Sequence, residues 1–255
     1  MYPILFHLGR VALPTFGVLA AIGLMCGLGL SLRTARLLGL DPDAVWNAGL
    51  FAVIAAFVLS RVLLIFEHMR IFMQFPGLVL AFPSLTATGV LLTGLATLAW
   101  IRVKKLPVLR VLDAWAPCAA LVWGFLALGH FADGSDPGMA LGAARTHPVG
   151  VYAALAGFGM AAGLYWLLAG AGEGVTRIRG IKTDVRGFVC GLGLVGCGVC
   201  QFLISFVRVP GKQLYGMDVL QVVALGMVVV GGLLVGGLGP RVTSVEATSR
   251  RVREF

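Results

Sequence analysis

The chain has 255 residues, 59% hydrophobic and only 12% charged, against about 25% charged in a soluble domain. Together with a mean hydropathy of +0.96, this excludes a soluble globular enzyme and a disordered chain, and five cysteines, odd in number, do not make a disulfide scaffold. The composition is that of a single all-α domain, residues 1–255, that crosses a membrane several times.

A helix needs about 20 apolar residues to cross a hydrocarbon core of ~30 Å. Seven segments qualify as predicted spans: residues 11–32, 44–66, 85–101, 109–131, 149–169, 187–207 and 217–238. Residues 71–82 are apolar but short, which suits a re-entrant or interfacial arm. Residues 239–255 form a basic tail.

The net charge of +9 is distributed unevenly. The loops after the first, third and fifth spans, with the tail, hold 14 of the 20 Lys and Arg; Arg10, Arg70, Arg145, Arg208 and Lys212 lie on the opposite side, and Arg61 lies within a span. Basic loops stay cytoplasmic, so the N-terminus is expected outside and the C-terminus inside. Because the cations sit between apolar runs and no aromatic-basic patch is present, the expected partner of this charge is the lipid bilayer, not nucleic acid.

Glycines recur within the spans, as in Gly159 with Gly163 and Gly187 with Gly191, followed by Gly193, Gly196 and Gly198. Small residues at this spacing are expected to let helix backbones approach. Cys197 and Cys200 form a C-x-x-C inside a glycine-rich span with no second pair nearby, which reads as packing rather than zinc or redox chemistry.

Ionisable and polar groups at membrane depth are the functional candidates. Arg61 has two readings: a structural guanidinium bonded to helix carbonyls, or a planar fork of donors for phosphate oxygens. Asp113, near Arg110 and ahead of Pro117, reads as a carboxylate at a helix start. His130 ends the fourth span and is a candidate base, with Asp133 placed to orient it if the chain turns back; the alternative is an interfacial histidine beside an acidic loop. His147, followed by Pro148, opens the fifth span, and Tyr152 follows five residues later, a spacing that shares a helix face poorly. Arg208 closes the sixth span as a second candidate phosphate contact. Gln201 and Ser205 share one face of that span. Gln221, early in the seventh, reads as an interhelical hydrogen bond or a substrate contact.

The order of these features resembles the prolipoprotein diacylglyceryl transferase family over most of the chain. Ser60-Arg61 is similar to the family's Gly-Arg, and Asp113 to Pro117 to its Asp-x-x-x-Pro. Gly129-His130-Phe131 resembles part of its signature Gly-Arg-x-Gly-Asn-Phe-x-Asn-Gly-Glu. His147-Pro148 with Tyr152 resembles its Arg-His-Pro-x-x-x-Tyr-Glu, Phe206 to Pro210 its Phe-Phe-Arg-x-Pro, and Gln221 its glutamine on span seven. The departures are specific. The signature Arg falls on Ala127, its two Asn on His130 and Asp133, and its Glu on Ser135. An Arg of span six falls on Gln201 and the acid after it on Ser205; the acid after Tyr152 falls on Ala153, and a His ahead of a Gly pair falls on Thr88.

The resemblance implies a multi-pass protein of the bacterial cytoplasmic (inner) membrane. It implies transfer of a diacylglyceryl group from phosphatidylglycerol to the cysteine thiol of a prelipoprotein signal segment, with no metal or soluble cofactor. On this reading His130 is the catalytic base, Arg61 and Arg208 bind the lipid headgroup, and Asp133, His147, Tyr152, Gln201 and Gln221 support them. The alternatives are a catalytically degenerate relative that binds lipid or lipoprotein, and an unrelated seven-span transporter.

Overall fold

The computed structural model describes residues 4–8, 11–74, 87–141, 145–171, 176–178, 181–183, 186–211, 213–214 and 216–237. Its helices are α1 (Thr15–Leu37), α2 (Pro42–Glu67), the short α3 (Met69–Gln74), α4 (Ala87–Val103), α5 (Val108–Asp133), α6 (Val149–Ala171), α7 (Phe188–Ser205) and α8 (Val219–Gly237). Three two-stranded antiparallel hairpins decorate them: β1 (Ile4–Leu8) with β2 (Val11–Pro14), β3 (Thr176–Ile178) with β4 (Ile181–Thr183), and β5 (Gln213–Leu214) with β6 (Met217–Asp218). The architecture is all-α.

Six of these helices are long and apolar enough to cross a membrane; α4, whose apolar stretch is Thr88–Val103, is shorter. The seven predicted spans therefore fall on seven helices in order. Of the predicted arm at 71–82, α3 covers the first residues; the remainder, like the 239–255 tail, lies outside the described residues.

Helix boundaries follow from local chemistry. The first helix begins at Thr15, not at residue 11, because Pro14 stands at its N-cap in extended backbone and β2 pairs with β1 before it. It runs on to Leu37 and stops before Gly39, whose φ of 64° is left-handed. At α2, Asp41 accepts a hydrogen bond at Oδ1 from Asp43 N (3.1 Å) and Pro42 occupies the first turn, a start that leaves few donors unmet. The last helix begins at Val219 because Met217 and Asp218 pair with β5.

In the bundle, α5 is central, packed on α1, α6 and α7, while α2 lies against α4 and α1, and α8 against α7. The closest backbone approaches are made by Gly124 against Gly157 and by Gly191 against Gly231, where a methyl group would collide with the facing backbone. The expected pair Gly159 and Gly163 instead faces open space, and Gly187 is a left-handed N-cap rather than a packing residue. Periodicity shows that glycines share a face but not which face meets a neighbour. The bundle exterior is apolar, with Trp166 77% and Leu233 69% exposed, a surface suited to lipid rather than water.

Candidate functional site

Successive helices alternate in direction, so the ends of α2, α5 and α7 gather with the starts of α1, α4, α6 and α8. Contacts tie this end together: Phe16 lies 4.7 Å from the His130 ring, and Gly150 sits against Ala127 and Phe131. The opposite end carries the basic loops.

At the first end a cavity of about 340 Å³ opens between α5, α6, α7 and the start of α8. Helical spacing builds its walls. Trp123, Ala127 and His130 lie on one face of α5; Gln201, Ile204 or Ser205, and then Arg208 lie on one face of α7 and its extension; Val149 and Ala153 come from α6. Trp123, Leu126 and Ile204 make its walls apolar. A small alanine-centred cluster of Ala127, Ala153 and Ala154 underlies it, packed by Phe158 and Leu128.

The polar rim depends on a tight reversal after α5. Gly134 takes φ 74° and donates its N–H to His130 O (3.0 Å), a left-handed stop open to glycine without penalty. Asp133 Oδ1 then accepts from Ser135 N at 2.8 Å, and the turn brings Ser135 Oγ to 2.7 Å from His130 Nδ1. The chain does turn back, as the proposed orientation of His130 required, but Ser135 reaches the imidazole while Asp133 fixes the turn.

Beyond the turn, the loop is sewn to the end of α7: Met139 N donates to Val207 O (2.8 Å) and Val209 N to Pro137 O (3.1 Å). Gly138 passes so close to His147 O that no Cβ fits there. This registration sets Asp136 Oδ1 2.6 Å from Arg208 Nε, with both side chains only partly exposed. Asp136 was not singled out by motif reading; it sits in a turn-rich loop, and only the folded loop shows what it faces.

The start of α8 completes the rim. Asp218 Oδ1 accepts from Leu220 N (3.0 Å), and Gln221 Oε1 accepts from Asp218 N (3.2 Å). Together these cap α8 much as a capping box does, and the Gln221 side chain turns back along its own helix. The pattern Asp218-x-x-Gln221 before an apolar run is a readable signal for it. Asp218 Oδ2 also accepts from Gly211 N (3.0 Å). The N–H groups of Gly211 and Leu220 hold the Asp218 carboxyl below its ordinary range, outweighing the opposing effect of desolvation, with a smaller contribution from the Arg208 charge.

The other candidates fall into place around this cavity. His130, Gln201 and Arg208 line it; Ser205 does too, its hydroxyl donating to Phe202 O (2.6 Å). His147 precedes α6 rather than lying on it, and so meets Tyr152 at 6.3 Å between ring centroids despite the five-residue spacing. Its Nδ1 is buried without a hydrogen-bond partner among the described residues. Arg61 belongs to α2, which packs on α1 and α4, and is not in the cavity lining. Thr88 is exposed at the start of α4. Asp113 lies at the opposite end, where it accepts from Gly187 N (2.6 Å) and Cys190 N (2.8 Å) and caps α7. No group of three or more His, Cys, Asp or Glu placed to hold a metal occurs among the described residues.

The model of the prolipoprotein diacylglyceryl transferase family matches residues 3–236. The phosphatidylglycerol–prolipoprotein diacylglyceryl transferase of Synechococcus elongatus is 27% identical over 122 residues, 47% of this chain and 42% of that protein, so the matched stretch spans under half of its relative. Of the positions where the sequence departs from the motifs it resembles, Ala127, His130, Ser135, Ala153, Gln201 and Ser205 all line this cavity. Side chains scattered over 79 positions of chain thus converge in one cavity.

Proposed function

Because this chain belongs to the prolipoprotein diacylglyceryl transferase family, we propose that it transfers the diacylglyceryl group of phosphatidylglycerol to a prelipoprotein cysteine thiol. Its family and its long apolar helices make it a multi-pass membrane protein. In our reading that membrane is the bacterial inner membrane, with the basic end of the bundle cytoplasmic and the cavity toward the outer leaflet. The observation that carries the reading is the convergence of His130, Gln201 and Arg208 in one cavity with apolar walls.

In the transfer, sulfur bonds to the glycerol carbon of the diacylglyceryl group, the bond from that carbon to the phosphate oxygen breaks, and glycerol phosphate leaves. A free thiol, with a reference pKa of about 8.5, is mostly protonated at neutral pH, so a base is required. We assign the tautomer in which His130 Nδ1 donates to Ser135 Oγ, which leaves Nε2 as the proton acceptor. Arg208 meets the developing phosphate charge, for which Asp136 must yield or share the guanidinium. Gln201 supplies a neutral contact where the family pattern has an Arg. Asp133 and Gln221 support the site by fixing the turn and the start of α8, and His147 with Tyr152 by packing the start of α6. Arg61, at the same end of α2, is assigned to the lipid headgroup outside the cavity.

One observation favours a second reading, a degenerate relative that binds lipid or lipoprotein without transfer: Arg208 is already paired with Asp136, and alanines stand at two lining positions where the family pattern carries charge. The variant His130→Ala separates the two. The active reading expects transfer to fall by about 10²-fold or more, the scale of a lost general base, with phosphatidylglycerol still bound. Unchanged transfer in His130→Ala would refute the assignment of the base.

A further inference from the structure

A second cavity, of about 520 Å³, lies at the other end of the bundle between the first half of α2 and the end of α4. It shares no lining residue with the first. Asp43, Asn47, Leu50 and Ile54 follow one another along one face of α2, so this wall changes from charged to apolar over about 16 Å of helix. On the facing wall, Trp100 stacks on Phe51 at 4.4 Å and 11°, and Lys104 Nζ lies 5.1 Å above the Trp100 ring. Leu50 and Ile54 remain 40% and 54% exposed. The cavity is therefore a groove whose polar mouth lies at the helix ends and whose apolar length runs toward the middle of the bundle.

We propose that this groove binds a phospholipid with a primary-amine, zwitterionic headgroup, its ammonium at Asp41 and Asp43, its phosphate at Lys104, and an acyl chain along Leu50 and Ile54. The charge pattern selects the class. Two carboxylates and one ammonium line the groove, so an anionic headgroup meets net repulsion there. A primary ammonium offers three N–H donors to the carboxylates, whereas a quaternary one offers none. The aromatic face that would attract a quaternary ammonium is already covered by Lys104. Asp41 Oδ1 is engaged in capping α2, so Asp43 is the carboxylate to alter.

The test reconstitutes the full chain in nanodiscs of equal phosphatidylethanolamine, phosphatidylcholine and phosphatidylglycerol and reads retained lipid by native mass spectrometry. One phosphatidylethanolamine is expected to be retained preferentially. Asp43→Asn and Lys104→Gln should each cut that retention two- to fivefold, the range of an exposed ion pair, whereas Arg208→Gln, in the first cavity, should not. Soluble phosphoethanolamine should not displace the lipid. Equal retention of phosphatidylcholine, a preference for phosphatidylglycerol that persists in Arg208→Gln and falls in Asp43→Asn, variants that hold phosphatidylethanolamine as well as the parent, or displacement by the soluble headgroup would each overturn the proposal.

Discussion

Asp113 illustrates how a carboxylate inside a span can belong to folding rather than chemistry. It is 1% exposed, and its two oxygens accept from Gly187 N and Cys190 N at the start of α7. Gly187 has no side chain with which to cap its own helix, so α5 supplies the cap for α7. Asp113→Ala leaves two buried N–H groups unpaired, at about 1–3 kcal/mol each. Asp113→Asn keeps one acceptor oxygen but turns an NH₂ group toward the second N–H, so its cost is about half of that. For a chain of this size about 2–4 °C is lost per kcal/mol. Scanning fluorimetry in detergent should therefore rank the parent above Asp113→Asn and Asp113→Ala lowest, with a drop of at least about 4 °C. Because Asp113 lies at the opposite end from the first cavity, the folded fraction should keep its transfer rate. An Asp113→Ala protein that melts with the parent but has lost transfer would refute the capping argument and place Asp113 in the chemistry.

Three further outcomes follow from the packing and the rim. Gly191→Ala would press a methyl group to 3.0 Å from Gly231 O and should cost about 1–3 kcal/mol by overpacking, while Gly159→Ala, facing open space inside a helix, should raise the melting temperature by about 1–4 °C. The folded carboxyl of Asp218 titrates below the unfolded reference of about 3.9, so its contribution is complete above that value and lost as the pH falls through the lower, folded pKa. The protection of the Gly211 and Leu220 amides, measured against their unfolded exchange rates, should accordingly hold down to about pH 4 and fall below it, with no such step in Asp218→Asn. Ser60 is 2% exposed and its hydroxyl has no hydrogen-bond partner among the described residues; Ser60→Ala should raise the melting temperature, since an unpaired buried hydroxyl costs about 1–3 kcal/mol.

Hydropathy located the six long apolar helices and the shorter α4 in order because burying apolar length in a bilayer leaves little choice of structure. It misplaced the first and last starts, where Pro14 and the β5–β6 pairing, not hydropathy, set the boundary. The partners of residues far apart in sequence were less accessible. Arg61 has the depth of a site residue, yet depth does not specify the direction in which a helix face points, and α2 turns to α4 rather than to the cavity. Asp136 and Ser135 lie in a loop whose geometry is set by Gly134 and by hydrogen bonds to residues some 70 positions away. The departures from the family pattern were visible residue by residue; that most of them share one cavity required the fold.

The central claim is transfer itself. Purified protein would be mixed with phosphatidylglycerol liposomes and a cysteine-bearing signal peptide, and the peptide mass followed. A diacylglyceryl mass gain that needs both the protein and phosphatidylglycerol, and that is lost in His130→Ala, is the predicted result. No gain, while an ordinary member of the family is active in parallel, would contradict it and leave a lipid-binding relative with a dismantled site.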